Sequence, residues 1–169
     1  MGVSEENKAI AEAKKKAGND AFAKKDLDEA VRLYSEAIEL DPSSYIYRSN
    51  RSACYALQGK HEMAKEEAEA CIKINPDFTK GYYRLATAQT EMGEIDAALE
   101  TVKAGLGRDP RKMFLSQTKE EITALLDAQQ EDKNKSETQL QSKQSYLEKR
   151  LASEQSNFNE IIKNIQAQG

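Results

Sequence analysis

Tryptophan is absent from the 169 residues, histidine occurs once, cysteine twice and proline three times. Each scarcity excludes something. Two thiols, Cys54 and Cys71, cannot build a disulfide framework, and they suit a reducing compartment. A lone histidine, His61, leaves few nucleophiles or metal ligands, so an enzyme here would have to work through carboxylates or lysines. No Gly-rich phosphate loop, HExxH or CxxC occurs. The sequence therefore predicts a non-catalytic chain with no cofactor, no metal and no catalytic residue. No apolar run approaches the ~20 residues of a membrane-spanning helix. The first residues carry no basic stretch followed by an apolar one, so no secretory signal is expected. The 25 Lys+Arg and 29 Asp+Glu give a net charge of −4 and a pI near 5.3, which argues against a nucleic-acid partner. A cytoplasmic location and no membrane partner are expected.

The few prolines are evenly placed. Pro42, Pro76 and Pro110 are separated by 34 and 34 residues. A fixed period of this length marks a repeat architecture. Three units, 11–44, 45–78 and 79–112, put like residues in register. Gly18, Ser52 and Ala86 share one position; Ala30, Ala64 and Ala98 share another. Tyr34, Ala68 and Val102 form a third set, and Ala37, Cys71 and Gly105 a fourth, followed by Ile38, Ile72 and Leu106. Each unit reads as two amphipathic helices around a short turn: KKDL (24–27), QGKH (58–61) and MGEI (92–95). Small residues let the paired helices approach, and each proline stops the second helix by removing a donor and crowding the preceding turn. Neither helix can bury its apolar face alone, so the expected fold is all-α, a right-handed superhelix of stacked pairs.

On such a stack, residues at i, i+3/i+4 and i+7 of the first helices face the concave groove. Unit one offers Lys15, Asn19 and Phe22. Unit two offers Asn50, Ala53 and Ala56, and unit three Lys80, Tyr83, Arg84 and Thr87. Three cations and two carboxamides converging on a groove floor call for an anion that takes several hydrogen bonds. A peptide C-terminus with a second carboxylate nearby is the simplest such ligand. Alone, each of these residues is an ordinary surface or packing residue; their common register across three units carries the reading.

These units resemble the tetratricopeptide repeat (TPR) family over residues 11–112. The aromatic usual near each unit's start is Lys14, Arg48 and Tyr82 here. Within the family, KKAGN (15–19), SNRSACY (49–55) and KGYYR (80–84) are similar to the two-carboxylate clamp of co-chaperones. That resemblance implies binding of the Glu-Glu-Val-Asp tail of heat shock protein 70 and/or 90. Lys15, Asn19 and Asn50 would hold the terminal carboxylate, Lys80 the Asp side chain, and Arg84 the peptide just upstream. Phe22, Ala53, Ala56 and Tyr83 would supply apolar contacts.

Residues 1–10 are expected to lead into the first helix, and 113–131 to form a capping seventh helix. In it, Thr118 with Glu121 suggests a capping box, and Ile122, Leu125 and Leu126 should cover the last repeat. Residues 132–169 combine a polar stretch with a candidate coiled-coil helix. The polar segment 131–139 reads either as a break or as a solvated length of continuing helix. Beyond it Leu140, Leu147, Leu151, Phe158, Ile161 and Ile165 climb a 4-3 ladder, with Gln144 and Glu154 at the two remaining seam positions. A homodimer or a partner helix through 140–165 would use it; a helix folding back is the plainer alternative.

The expected function is a co-chaperone adaptor. Two others stand beside it: the docking fragment of a larger TPR enzyme (isomerase, phosphatase or ubiquitin ligase), and a coiled-coil scaffold whose groove takes another acidic peptide.

Overall fold

The computed structural model describes residues 3–167; for Phe158, Ile161 and residues 164–167 it describes the backbone alone. Among the described residues there are seven helices and no strand. They are α1 (Glu5–Ala23), α2 (Leu27–Leu40), α3 (Tyr45–Leu57), α4 (His61–Ile74), α5 (Thr79–Glu91), α6 (Ile95–Arg108) and α7 (Met113–Ala167). The chain divides into two compact units, Met1–Leu126 and Asp127–Gly169.

In the first unit, helices pair as α1 with α2, α3 with α4 and α5 with α6, and successive pairs stack through α2 on α3 and α4 on α5. The turns inside the pairs are one device used three times. Lys25, Gly59 and Gly93 occupy the same register position with φ of 63°, 72° and 78°. The next amide then reaches back to the helix end: Asp26 N–H donates to Ala21 O at 3.0 Å, Lys60 to Tyr55 O at 2.9 Å and Glu94 to Gln89 O at 2.8 Å. This Schellman geometry satisfies carbonyls that a helix end would leave open. Asp26 also starts α2, its carboxylate accepting from Glu29 N–H at 3.2 Å.

Small residues set how closely the pairs pack. Ala30, Ala64 and Ala98 have no exposed surface. A Cβ added to Gly18 would lie 2.7 Å from the Tyr34 ring, so only glycine admits that tyrosine. In the second pair the Ser52 hydroxyl donates to Ala64 O at 2.8 Å. Arg48 and Arg51 of α3 both reach Glu67 of α4, a half-buried ion pair network. The fully buried Cys54 and Cys71 are packing residues. Tyr47 and Tyr55 are buried, and Tyr45 lies 4.8 Å, centroid to centroid, from Phe78 across a repeat junction.

α7 begins at Met113, five residues before Thr118, so Thr118 and Glu121 form no capping box. The Thr118 hydroxyl instead donates to Phe114 O at 2.8 Å inside the helix. The loop before α7 is turned by Asp109, whose side chain accepts from Arg111 N–H at 3.1 Å, and the helix begins with Ser116 N–H donating to Lys112 O at 3.2 Å. The covering face also differs from expectation. Ile122 is buried and Leu126 half-buried against Tyr82, Ala86, Ile95, Ala98 and Val102, but Leu125 is 44% exposed. The anchor that replaces it is Leu115, fully buried two turns before Ile122.

The polar stretch 131–139 is helical throughout. Its residues carry no proline or glycine, and their side chains support the helix over single turns. Gln130 donates to Asn134 at 2.8 Å, and Lys135 stands 3.9 Å from both Glu131 and Asp132. Of the alternatives for this segment, continuing helix is the one observed. Every side chain described in the second unit is exposed.

Candidate functional site

The candidate residues come from the first helix of each pair: Lys15, Asn19 and Phe22 from α1, Asn50, Ala53 and Ala56 from α3, and Lys80, Tyr83 and Arg84 from α5. α3 and α5 touch directly, which brings the second and third sets onto neighbouring helices.

Asn19 and Asn50 meet. The Asn50 amide donates to Asn19 Oδ1 at 3.2 Å, and the Tyr34 hydroxyl donates to the same oxygen at 2.7 Å. With its oxygen occupied twice, Asn19 has its NH2 left to offer a ligand. Tyr34 is 2% exposed, and burial pushes its hydroxyl up to about 12. It is a support that reading the sequence missed. The available signal was size: Tyr34 stands where the other units carry Ala68 and Val102.

The three cations differ. Lys15 is half-buried and already paired with Glu12 of its own helix at 2.5 Å. Its two lysine neighbours face elsewhere: Lys14 pairs with Glu36 of α2 at 2.7 Å, and Lys16 is exposed. Lys80 is exposed and, among the described residues, has no carboxylate within 4.0 Å. Arg84 is half-buried and also lacks a carboxylate partner among the described residues. Its Nε is covered without a hydrogen-bond partner, and its guanidinium carbon sits 5.6 Å from the Tyr83 ring centroid. Burial pulls its pKa below the ordinary guanidinium value, and the Arg84 charge in turn is felt by Cys54. Cys54 packs with Tyr34 in one core cluster, so a buried layer runs beneath Asn19, Asn50 and Arg84.

The apolar candidates are partly consumed by packing. Phe22 leans on the core of the first pair, and Ala53 is 5% exposed, leaving a sliver of surface. Ala56 is half-buried beside Tyr55 and Ala64. Tyr83 meets Phe114 edge-to-face at 5.7 Å. These two rings, with Phe78, Lys80, Lys112 and Gln117, line a cleft of about 690 Å³ at the third repeat. Phe114 and this cleft were not foreseen. Among the described residues no cluster suits a metal ion, and no helix is long and apolar enough to cross a membrane.

Comparison with known proteins gives these positions a family. Tetratricopeptide repeat profiles match residues 11–44 and 55–114. The chain is 43% identical over 102 residues to Hsp70-Hsp90 organizing protein 3 of Arabidopsis thaliana, covering 60% of this chain and 18% of that one. It is similar in fold to the Sgt2 TPR domain from Aspergillus fumigatus, with a TM-score of 0.70 and 28% identity over 78% of this chain and 85% of that one. It also resembles the TPR2B domain of yeast Sti1 in complex with an Hsp70 peptide, with a TM-score of 0.66 and 28% identity over 69% of this chain and 98% of the other. The chain spans well under half the length of the curated relatives it matches. Helix pairs of fixed period, small residues at their crossings and matching family profiles lead to one conclusion: the chain belongs to the tetratricopeptide repeat family.

Proposed function

We propose that this chain is a non-catalytic co-chaperone adaptor whose groove captures the Glu-Glu-Val-Asp tail of heat shock protein 70 and/or 90 in the cytoplasm. The observation that carries this reading is Arg84: a half-buried guanidinium that, among the described residues, has no carboxylate partner, one helical turn from Lys80, which has none among them either. A buried charge without a partner is costly, and an arriving carboxylate relieves it. Asn19 and Asn50, already oriented by Tyr34, donate to the terminal carboxylate beside Lys15. Lys80 takes the Asp side chain, and Arg84 the peptide just upstream. Phe22, Ala53, Ala56 and Tyr83 flank the chain, and the cleft at Tyr83 and Phe114 receives residues before the tail. The similarity to a TPR domain that holds an Hsp70 peptide supports the same assignment.

Charge-assisted hydrogen bonds at roughly 1.5–3 kcal/mol each, opposed by desolvation and peptide ordering, place the affinity in the low micromolar range, about −7 to −8 kcal/mol. The test is calorimetric titration with tail peptides from both chaperones and the same peptides amidated at the C-terminus. Binding that disappears on amidation supports the clamp, and the ratio of affinities names the preferred chaperone. Equal binding of free and amidated peptides refutes it.

A further inference from the structure

The second unit presents an apolar seam. Leu140, Leu147 and Leu151 are 68%, 53% and 67% exposed, and with Gln144 and Glu154 they line one groove along α7. Phe158, Ile161 and Ile165 continue the same 4-3 spacing in sequence, with side chains outside the described residues. Written as heptads, Gln144, Leu151, Phe158 and Ile165 fall at a, and Leu140, Leu147, Glu154 and Ile161 at d.

The flanking charges decide what covers this face. Lys143 and Arg150 stand at g, and Glu148 stands at e, five residues after Lys143. In a parallel, in-register pair, g faces the next e of the other helix, so Lys143 meets Glu148 of the second copy, twice by symmetry. An antiparallel pair overlapped over 140–165 sets g against g and e against e, so Lys143 and Arg150 face Asn164 and Asn157, Glu148 faces Gln155, and the ion pair is lost. The seam also carries its own register marks. Gln144 at a hydrogen-bonds best with its own counterpart. Glu154 at d is bonded to Arg150 of the same helix at 3.1 Å, which partly neutralises it.

We propose that residues 140–165 form a parallel, in-register two-stranded coiled coil with a second copy of this chain. Gln144 fixes the register, and Glu154 holds the affinity below what an apolar seam would reach.

Sedimentation equilibrium on the full chain tests this at concentrations up to about 100 μM. A dimer is expected. Leu147→Asp, which lies on the exposed face, should weaken it about 100-fold or more, and Glu154→Leu should tighten it about tenfold or more. Glu148→Lys should weaken the dimer several-fold, and adding Lys143→Glu to it should restore the wild-type value. The thermal transition of the repeats, followed by circular dichroism, should stay in place in all four variants. A wild-type chain that stays monomeric, as expected of a face serving another protein's helix, overturns the proposal. So does a dimer indifferent to Leu147→Asp, or a charge swap that fails to restore pairing.

Discussion

The side chains of Asn50 and Asn19 are hydrogen-bonded to each other at 3.2 Å, across 31 residues of sequence, before any ligand arrives. Their shared oxygen is also held by Tyr34. The proposed ligand would therefore meet an Asn19 amide whose oxygen is already taken. Asn19→Ala removes that donor and should weaken tail binding at least about tenfold. Tyr34→Phe removes only the support, and should cost about 1 kcal/mol of stability with an affinity loss of a few-fold. Equal losses for the two changes, by calorimetry, would show that Tyr34 does more than orient the amide.

Arg84 sets stability against binding. Arg84→Met replaces a half-buried cation, whose Nε is unpartnered, with an apolar chain of similar length. Stability should hold or rise by up to about 1 kcal/mol, while affinity for the tail falls at least about tenfold. Thermal melting and titration on one sample measure both. A large drop in melting temperature would mean that the guanidinium has a structural partner.

Two glycines two residues apart in α6 should respond oppositely to alanine. A Cβ on Gly105 would sit 2.8 Å from Tyr82 Cβ and 3.0 Å from Leu115, whereas one on Gly107 meets nothing within 4 Å. Gly105→Ala should destabilise by about 1–3 kcal/mol through overpacking. Gly107→Ala should stabilise by up to about 1 kcal/mol, because alanine loses less backbone entropy in a helix. Urea midpoints compare the pair.

Lys25 holds the left-handed turn position that Gly59 and Gly93 fill in the other repeats. Lys25→Gly should relieve its strain and raise stability by about 0.5–1 kcal/mol, with the helical spectrum unchanged. Gly59→Lys should cost a similar amount.

Burial pushes both thiols, Cys54 and Cys71, up to about 11 from an ordinary value near 9.0. The folded chain then keeps these protons over a range where the unfolded chain releases them. Stability contributed below pH 9 is lost as pH rises toward 11, by roughly 2–3 kcal/mol for each thiol. Tyr34, pushed up to about 12, extends the decline beyond pH 10. Urea titrations from pH 8 to 11 should show this slope, and Cys54→Ala with Cys71→Ala should flatten it.

The repeats were legible because their constraints are local and recur. A proline every 34 residues, alanines at fixed offsets and turn residues at 25, 59 and 93 each act within a few residues of chain. What escaped depends on contacts made once. Leu115 and Leu125 are equally apolar on a helical ladder, and only the packing of α7 on Val102 and Tyr82 buries the first and exposes the second. Thr118 looked like a cap, but α7 already starts five residues earlier, where Ser116 N–H donates to Lys112 O at 3.2 Å. At the groove, residue types marked where polar groups gather, but not that Lys15 is already paired, that Tyr34 braces the asparagines, or that Phe114 joins Tyr83 to wall a cleft.

The fit of Tyr34 over Gly18 bears on how such an array can change over generations. Units of equal length invite unequal crossing-over, and most break points would give a chain of acceptable length. A break inside the first unit, however, could join the Ser52 or Ala86 half of a neighbour to the half that carries Tyr34, and a β-carbon would then enter the tyrosine ring. A break near Pro42, Pro76 or Pro110 keeps residue 18 with residue 34. The prolines thus mark where whole units can be gained or lost, and the interior of the first unit is inherited as one block.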